Sequence, residues 1–247
     1  MVLVKTATLQ DKSPFETREL RLALKTYLQT PFHVAEVDKT ETIGSFKWGV
    51  YIFYDYDGEP IYVGQTNEKV SGRIGRHLTN QRTDAVAMSV LDPFEVFEIE
   101  VCPLPRYQSV HSKHQKFKEA KAHLDALEFA VYEKVKSESR FNAILNEKDP
   151  PAPINKCAMP KPLRGRVVSE DVLKLRGHPD TRAARRAQVI SRLAQTIAVR
   201  EVKAGLRRTL LTQATRLQWL AKQRFIAIGG EAAVELAREE SDEKNEN

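Results

Sequence analysis

Cysteine and long apolar runs are both scarce in this sequence. Its 247 residues include only two cysteines, Cys102 and Cys157, and neither belongs to a Cys-x-x-Cys pair. A disulfide framework is thereby excluded, and a reducing, cytoplasmic location is expected. No stretch approaches the ~20 consecutive apolar residues of a membrane span, so no membrane association is expected. Residues 1–6 lack the charged and apolar segments of a secretory leader, and export by that route is not expected.

Positive charge is concentrated in one part of the chain. Residues 151–228 hold 17 Lys/Arg against 4 Asp/Glu, whereas residues 1–150 hold 20 against 22 and residues 229–247 hold 2 against 7. A basic block beside a near-neutral segment favours nucleic acid as the partner, because crowded like charges need a counter-charge. The alternative is a solvated helical surface that is rich in arginine.

Prolines divide the chain into two main parts. The run Asp149-Pro150-Pro151-Ala152-Pro153, with Pro160 and Pro162 after it, is incompatible with a helix or a central strand. We predict five segments: an N-terminal helical extension (1–46), an α+β domain (47–148), a proline-rich linker or arm (149–166), a basic helical region (167–238) and a disordered acidic tail (239–247).

The local pattern before the linker predicts a small sheet with helices. Aromatic and β-branched runs at 48–54 and 61–63 flank the turn sequence Asp55-Tyr56-Asp57-Gly58, which predicts a β-hairpin. Apolar spacing predicts further elements: helices over 16–29, 70–78 and 111–139, and a third strand over 94–101. After the linker, Ser169 is a predicted helix N-cap, and helical spacing continues from 181 to about 228 with a break near Gly205.

The predicted hairpin and the helix after it carry a cluster of reactive side chains. Tyr51 and Tyr62 lie in the two neighbouring strands, although either tyrosine alone is equally well explained by packing. Arg73 and His77 are spaced i, i+4 and share one helix face. Arginine suits a phosphate, and histidine exchanges protons near neutral pH. Arg76 lies off this face, where we expect contact with solvent or a nucleic-acid backbone.

Glu128 is the least ordinary position in the first half of the chain. It lies between Leu124 and Val131 on the apolar stripe of the predicted long helix, where an ionised carboxylate requires a cation or another partner. We interpret it as a metal ligand, with a salt bridge to Arg73 as the alternative. Asn142 is predicted to brace the site after the helix ends, and Asn146 competes with it on spacing alone.

These residues together resemble the GIY-YIG nuclease superfamily. The resemblance rests on Gly49-Val50-Tyr51, Tyr62-Val63-Gly64, the Arg73 and His77 pair, and Glu128 and Asn142 later in the chain, over about residues 47–146. It implies an α+β fold, in which a small three-stranded antiparallel sheet is flanked by helices. It also implies divalent-metal-dependent hydrolysis of DNA phosphodiesters, and the Arg-x-x-x-His helix is closer to the restriction-enzyme branch. Gln65 stands where some relatives have lysine.

The resemblance suggests a separate role for each residue of the site. Glu128 would hold Mg²⁺ or Mn²⁺, Arg73 would bind a non-bridging oxygen, and Tyr51 would deprotonate or orient the attacking water, with His77 as an alternative base or relay. Tyr62 would position the phosphate, and Asn142 would brace the site. A free tyrosine has a pKa near ~10, so the role of Tyr51 requires positive charge nearby.

The basic region is predicted to supply affinity for DNA, in a restriction-like or mobile-element endonuclease. The alternatives are a catalytically inactive DNA-binding protein and an assembly protein whose helices bind another protein. The same helices are also suited to a homodimer through Leu193, Ile197, Leu206, Leu210 and Leu217. The predicted DNA contacts are Arg76, Arg164, Arg166, Arg182, Arg185, Arg186, Arg192, Arg207 and Arg208, and steep salt dependence of binding is their expected signature.

Overall fold

The computed structural model describes residues 14–35, 38–79 and 90–230. The predicted acidic tail at 239–247 lies outside these residues, as does the start of the N-terminal extension. None of the described helices combines the length and the apolar character needed to cross a bilayer.

An antiparallel sheet of four strands forms the centre of the fold. Its strands are β3 (Gly49–Tyr54), β4 (Pro60–Thr66), β5 (Glu98–Pro103) and β6 (Leu163–Arg166), in the order β4-β3-β5-β6. A separate two-stranded sheet joins β1 (Pro31–Val34) to β2 (Lys39–Thr42). The α+β class is therefore confirmed, with one more strand in the main sheet than was predicted.

Six α-helices surround the sheet within the described ranges. They are α1 (Phe15–Leu28), α2 (Val70–Leu78), α3 (Phe117–Glu138), α4 (Glu170–Arg176), α5 (Pro179–Val199) and α6 (Ala204–Ala227). The predicted α2 matches residue for residue, and Ser169 accepts a hydrogen bond from the Val172 amide as the N-cap of α4. The predicted long helix begins six residues late, because 111–116 form turns. The third strand covers Glu98–Pro103 rather than 94–101, since Pro93–Glu95 form a 3-10 turn.

The hairpin forms where the turn sequence predicted it. Gly58 has φ +71°, a conformation that favours glycine, and Asp55 Oδ1 accepts hydrogen bonds from the amides of Asp57 and Glu59. Because strand side chains alternate, β3 faces two separate hydrophobic clusters. Tyr51 and Phe53 contribute to the cluster that also contains α1 and α2, whereas alternate residues of β3 pack in the cluster with α3.

The end of the predicted linker is the fourth strand of the sheet. Leu163–Arg166 pairs with β5, and the Tyr27 hydroxyl donates to the Leu163 carbonyl at 2.9 Å. Gly165 lies against the ring of Tyr27, where any Cβ would clash. The prediction of an arm through residue 166 is therefore wrong for these four residues, because the contacts that order them come from distant parts of the chain.

The C-terminal helices pack on the sheet rather than standing apart. Leu193 and Ile197 of α5 and Leu206 of α6 belong to the same hydrophobic cluster as Tyr51 and Phe53. These three side chains are buried within a single chain, and the homodimer remains a prediction. The other predicted segment boundaries remain predictions.

Buried ion pairs connect these helices to the hairpin turn. Arg186 and Arg216 each lie 2.8–2.9 Å from Asp55 Oδ2 and also contact Glu95, and both arginine side chains are 1% exposed. Arg182 is paired with Asp57. The prediction that Arg182 and Arg186 contact DNA is therefore corrected, because their guanidinium groups face carboxylates of their own chain in the interior.

Candidate active site

One face of the hairpin gathers the aromatic residues of the site. Tyr51 lies opposite Gly64, and Phe53 lies opposite Tyr62 in the register of β3 and β4. Side chains two residues apart share a face, so all four positions point toward α2. The rings of Tyr62 and His77 are 4.8 Å apart in an edge-to-face arrangement, and Tyr51 and Tyr62 are 6.3 Å apart. The structure therefore brings Tyr51, Tyr62 and His77 together as predicted.

Gly64 leaves the room that the ring of Tyr51 occupies. A Cβ at Gly64 would lie 2.5 Å from both Cζ and the hydroxyl oxygen of Tyr51. We expect Gly64→Ala to lower the free energy of unfolding by about 1–3 kcal/mol, because the tyrosine must leave its position. Gly75→Ala is the matched control: no described atom lies within 4 Å of its Cβ, and a gain of about 0.5–1 kcal/mol is expected there. Urea unfolding of both variants measures the difference, and equal stabilities would contradict the crowding at Tyr51.

The Tyr51 hydroxyl lies between a histidine and an arginine. It is 3.2 Å from His77 Nδ1 and also takes part in a hydrogen bond with Arg73. Burial disfavours the charged guanidinium, but Tyr51, Tyr62 and Glu68 outweigh it, so the pKa of Arg73 is above its ordinary value. Among the described residues, Arg73 Nε is buried without a hydrogen-bond partner. A buried donor of this kind is suited to an external acceptor such as a phosphate oxygen.

Glu128 lies on α3, which packs on the opposite face of the sheet from Tyr51 and Tyr62. Its Oε2 accepts a hydrogen bond of 2.7 Å from Gln65 Nε2 at the outer strand β4. Burial is the main cause that raises the pKa of Glu128, and Asp125 adds to it, whereas Lys121, Gln65 and Arg73 act in the opposite direction. The alternative of a direct Glu128 salt bridge to Arg73 does not hold, since Glu128 is hydrogen-bonded to the neutral amide of Gln65 instead.

Two further residues of α3 join Glu128 around Gln65. Gln65 Nε2 also donates to Asp125 Oδ1 at 2.9 Å, and Lys121 Nζ donates to both Gln65 Oε1 and Asp125 Oδ1, at 3.1 and 2.6 Å. Lys121 therefore supplies a positive charge next to Gln65. Some members of the GIY-YIG superfamily, which this chain resembles, have a lysine at the position of Gln65. Lys121 and Asp125 were not predicted as site residues, although their i, i+4 and i+7 spacing with Glu128 marks one face of a helix.

Asn146, not Asn142, braces the hairpin. Asn146 accepts from the Val63 amide at 3.0 Å and donates to the Val63 carbonyl at 2.8 Å, which satisfies backbone groups at the open edge of β4. Asn142 is exposed in a left-handed turn, with φ +47°. The prediction of Asn142 is thus corrected. A cleft of about 260 Å³ beside Asn146 is lined by Tyr62, His77, Val90, Leu91, Leu145 and the chain through Lys148.

The donor atoms near Glu128 suit a hard divalent cation. They are carboxylate oxygens of Glu128 and Asp125, which share the Gln65 Nε2 group as a hydrogen-bond donor. In the described part of the chain, no three His, Cys, Asp or Glu side chains form a metal-binding group. Mg²⁺ is commonly held by one or two carboxylates, with water and substrate phosphates as its other ligands, so this donor set fits it.

The remaining predicted DNA contacts differ in their exposure. Arg192 and Arg207 are exposed on the C-terminal helices. The others carry carboxylate partners of the same chain: Arg76 with Glu68, Arg164 with Glu98, Arg166 with Glu170, Arg185 with Asp92 and Arg208 with Asp149. Most of the arginines predicted to contact DNA are therefore paired with carboxylates of the same chain.

Comparison with known proteins identifies the first part of this site. The family model of the GIY-YIG catalytic domain matches residues 47–109. No curated protein and no solved structure matches the chain. The matched residues include Tyr51, Tyr62, Arg73 and His77, and Glu128 follows on α3. Residues 47–109 are therefore similar to the GIY-YIG catalytic domain.

Proposed function

We propose that this protein is a divalent-metal-dependent DNA endonuclease. The observation that carries the proposal is the position of the Tyr51 hydroxyl, hydrogen-bonded to His77 and Arg73 on the same face of the hairpin. Hydrolysis of a phosphodiester needs an oriented water, a base, and positive charge beside the phosphate oxygens. The chain offers a candidate for each of these requirements.

Four side chains of the hairpin and α2 have defined roles in the proposed reaction. Arg73 binds a non-bridging oxygen of the phosphate, and its charge favours the phenolate form of Tyr51. Tyr51 orients the attacking water and takes its proton, and neutral His77 accepts the phenolic proton at Nδ1. Tyr62 lines the cleft in which the phosphate is placed.

Glu128, with Asp125 beside it, would hold Mg²⁺ or Mn²⁺. When bound, the cation would stabilise negative charge that develops on the phosphate and leaving oxygens. Lys121 and Gln65 keep the two carboxylates in place through their hydrogen bonds. Asn146 holds the edge of β4, and so fixes the strand that carries Tyr62.

The Arg73 and His77 pair supports a restriction-like action on duplex DNA. The exposed Arg192 and Arg207 are proposed to add contacts to the DNA backbone.

Plasmid digestion tests the proposed function. We expect cleavage of supercoiled DNA with Mg²⁺ or Mn²⁺ and none with EDTA, and sequencing of the ends reports whether the sites are specific. Tyr51→Phe is expected to slow cleavage about 10²-fold, because it removes the proposed base. Tyr54→Phe is the matched control: it removes a hydroxyl from the same strand, where the partner is Glu100, and a change within about 2-fold is expected. Equal rates for the two variants would refute the role of Tyr51.

A further inference from the structure

A groove between α1 and the start of α2 is lined by cations. Its volume is about 420 Å³, and its charged lining residues are Arg21 and Lys25 of α1 and Lys69 just before α2. The polar groups beside them are hydroxyls or amides, and no acidic side chain lines the groove among the described residues. The acidic groups on neighbouring segments, Glu41 and Glu68, are paired with Lys39 and Arg76.

The exposed face of α1 continues the positive charge of the groove. Arg18, Arg21 and Lys25 are exposed and spaced i, i+3, i+7, so they form one stripe along the helix. The opposite face of α1 packs Leu20 and Leu24 into the core. A stripe and a groove of one sign match the charge of a nucleic-acid backbone.

An exposed ridge of α2 separates this groove from the active site. At 100° per residue, Arg73 and His77 lie on one flank of the helix, and Ser71 and Thr79, which line the groove, lie on the other. Between them is a ridge that includes Gly72, Arg76 and Lys69. A DNA strand bound at Arg73 would therefore cross about one helix width to reach the groove.

Within the described structure, no close contact requires a glycine at either glycine position of α2. A Cβ at Gly75 would meet nothing within 4 Å, and one at Gly72 would meet only Arg76 Nη1 at 3.7 Å. Glycine weakens a helix interior, and its small size there leaves room for the close approach of another backbone. This observation is independent of the cations.

We propose that the phosphodiester backbone of duplex DNA crosses the α2 ridge at Gly72 and continues into the α1–α2 groove, where Lys25 and Lys69 contact its phosphates. The inference rests on the proposed function, because it starts from DNA held at Arg73. It places the main DNA-binding surface on the N-terminal helix, opposite to the expectation from the overall charge distribution.

Salt-dependent binding tests this surface without any cleavage. The probe is a labelled 30-base-pair duplex in EDTA, titrated with KCl. For Lys25→Gln/Lys69→Gln, we expect the slope of log K against log[KCl] to become shallower by about 2, and binding at low salt to fall about 10-fold or more. Lys113→Gln/Lys118→Gln is the matched control on exposed lysines just before and at the start of α3, which packs on the other face of the sheet, and a slope change below about 0.5 is expected. An unchanged slope for the lysine pair would overturn the inference.

A second variant tests the ridge independently of charge. Gly72→Leu adds a side chain that favours helix, so the thermal midpoint is expected to stay or rise, while DNA binding falls at least about 10-fold because the backbone is kept away. Binding within 2-fold of the wild type would overturn the crossing at Gly72. If the wild-type protein binds the duplex but never cleaves DNA, the proposed function is refuted and this inference is not. If the wild-type protein cleaves DNA but the lysine pair and Gly72→Leu both bind the duplex as the wild type does, this inference is refuted and the proposed function is not.

Discussion

Replacing Glu128 with glutamine is expected to reduce DNA cleavage by about 10³-fold while DNA binding stays within about 2-fold. The amide keeps the shape of the side chain and can still meet Gln65, but it removes the negative charge proposed to hold the divalent cation. Initial rates on plasmid DNA and duplex affinity in EDTA measure the two quantities. Glu133→Gln is the control, because Glu133 is exposed on the same helix. Cleavage near the wild-type rate in Glu128→Gln would exclude Glu128 as a required ligand.

The raised pKa of Glu128 also predicts how cleavage depends on pH. Burial shifts the pKa of this carboxyl upward, so it takes up a proton at a higher pH than an ordinary glutamate does. The cleavage rate should therefore fall on acidification, and the fall should begin at a pH above the range in which ordinary glutamates take up a proton. Because the cation and the proton compete for the same oxygens, raising the Mg²⁺ concentration should move this acidic limb to lower pH. A limb that does not move with Mg²⁺ would point to a different titrating group.

Replacing Arg216 with leucine is expected to lower the free energy of unfolding by about 3–5 kcal/mol. The guanidinium is buried against Asp55 and Gln213, at 2.9 Å in both cases, and its loss leaves Arg186 as the one buried counter-charge for Asp55 and Glu95 among the described residues. Arg192→Leu, at an exposed position of α5, should change stability by less than about 0.5 kcal/mol. Urea unfolding measures both. Similar stabilities for the two variants would show that the network adds little to the fold.

The same network predicts the response of the fold to acid. Burial opposes ionisation of Asp55, but Arg216 and Arg186 outweigh it, so the pKa of Asp55 in the folded state is below its ordinary value. Its contribution to stability is therefore present above the pKa of the unfolded chain, ~3.9, and is lost as the pH falls toward the folded value. In Arg216→Leu this part of the acid sensitivity should be smaller. A double-mutant cycle of Arg216→Leu with Asp55→Asn measures the coupling directly.

Local patterns were sufficient for the elements that carry the first half of the site. The Asp-Gly turn and the runs on either side of it predicted the hairpin, and the spacing of Arg73 and His77 placed both on one face of α2. These features depend on residues that are close in the sequence, where turn chemistry and helical periodicity act directly. Glu128 was also recognisable, because a carboxylate on an apolar stripe is costly wherever the helix packs.

Contacts between distant segments decided the rest. Whether Asn142 or Asn146 meets Val63 depends on how the chain returns to the edge of β4, and neither spacing nor residue type separates the two. The arginines of α5 and α6 carry the same charge whether they face DNA or Asp55. The hairpin, the helix faces and the excess positive charge could be predicted from the order of residues alone. Which of those charges are balanced inside the fold and which line an open groove depends on packing, because a charged side chain meets its partner through contacts between distant segments.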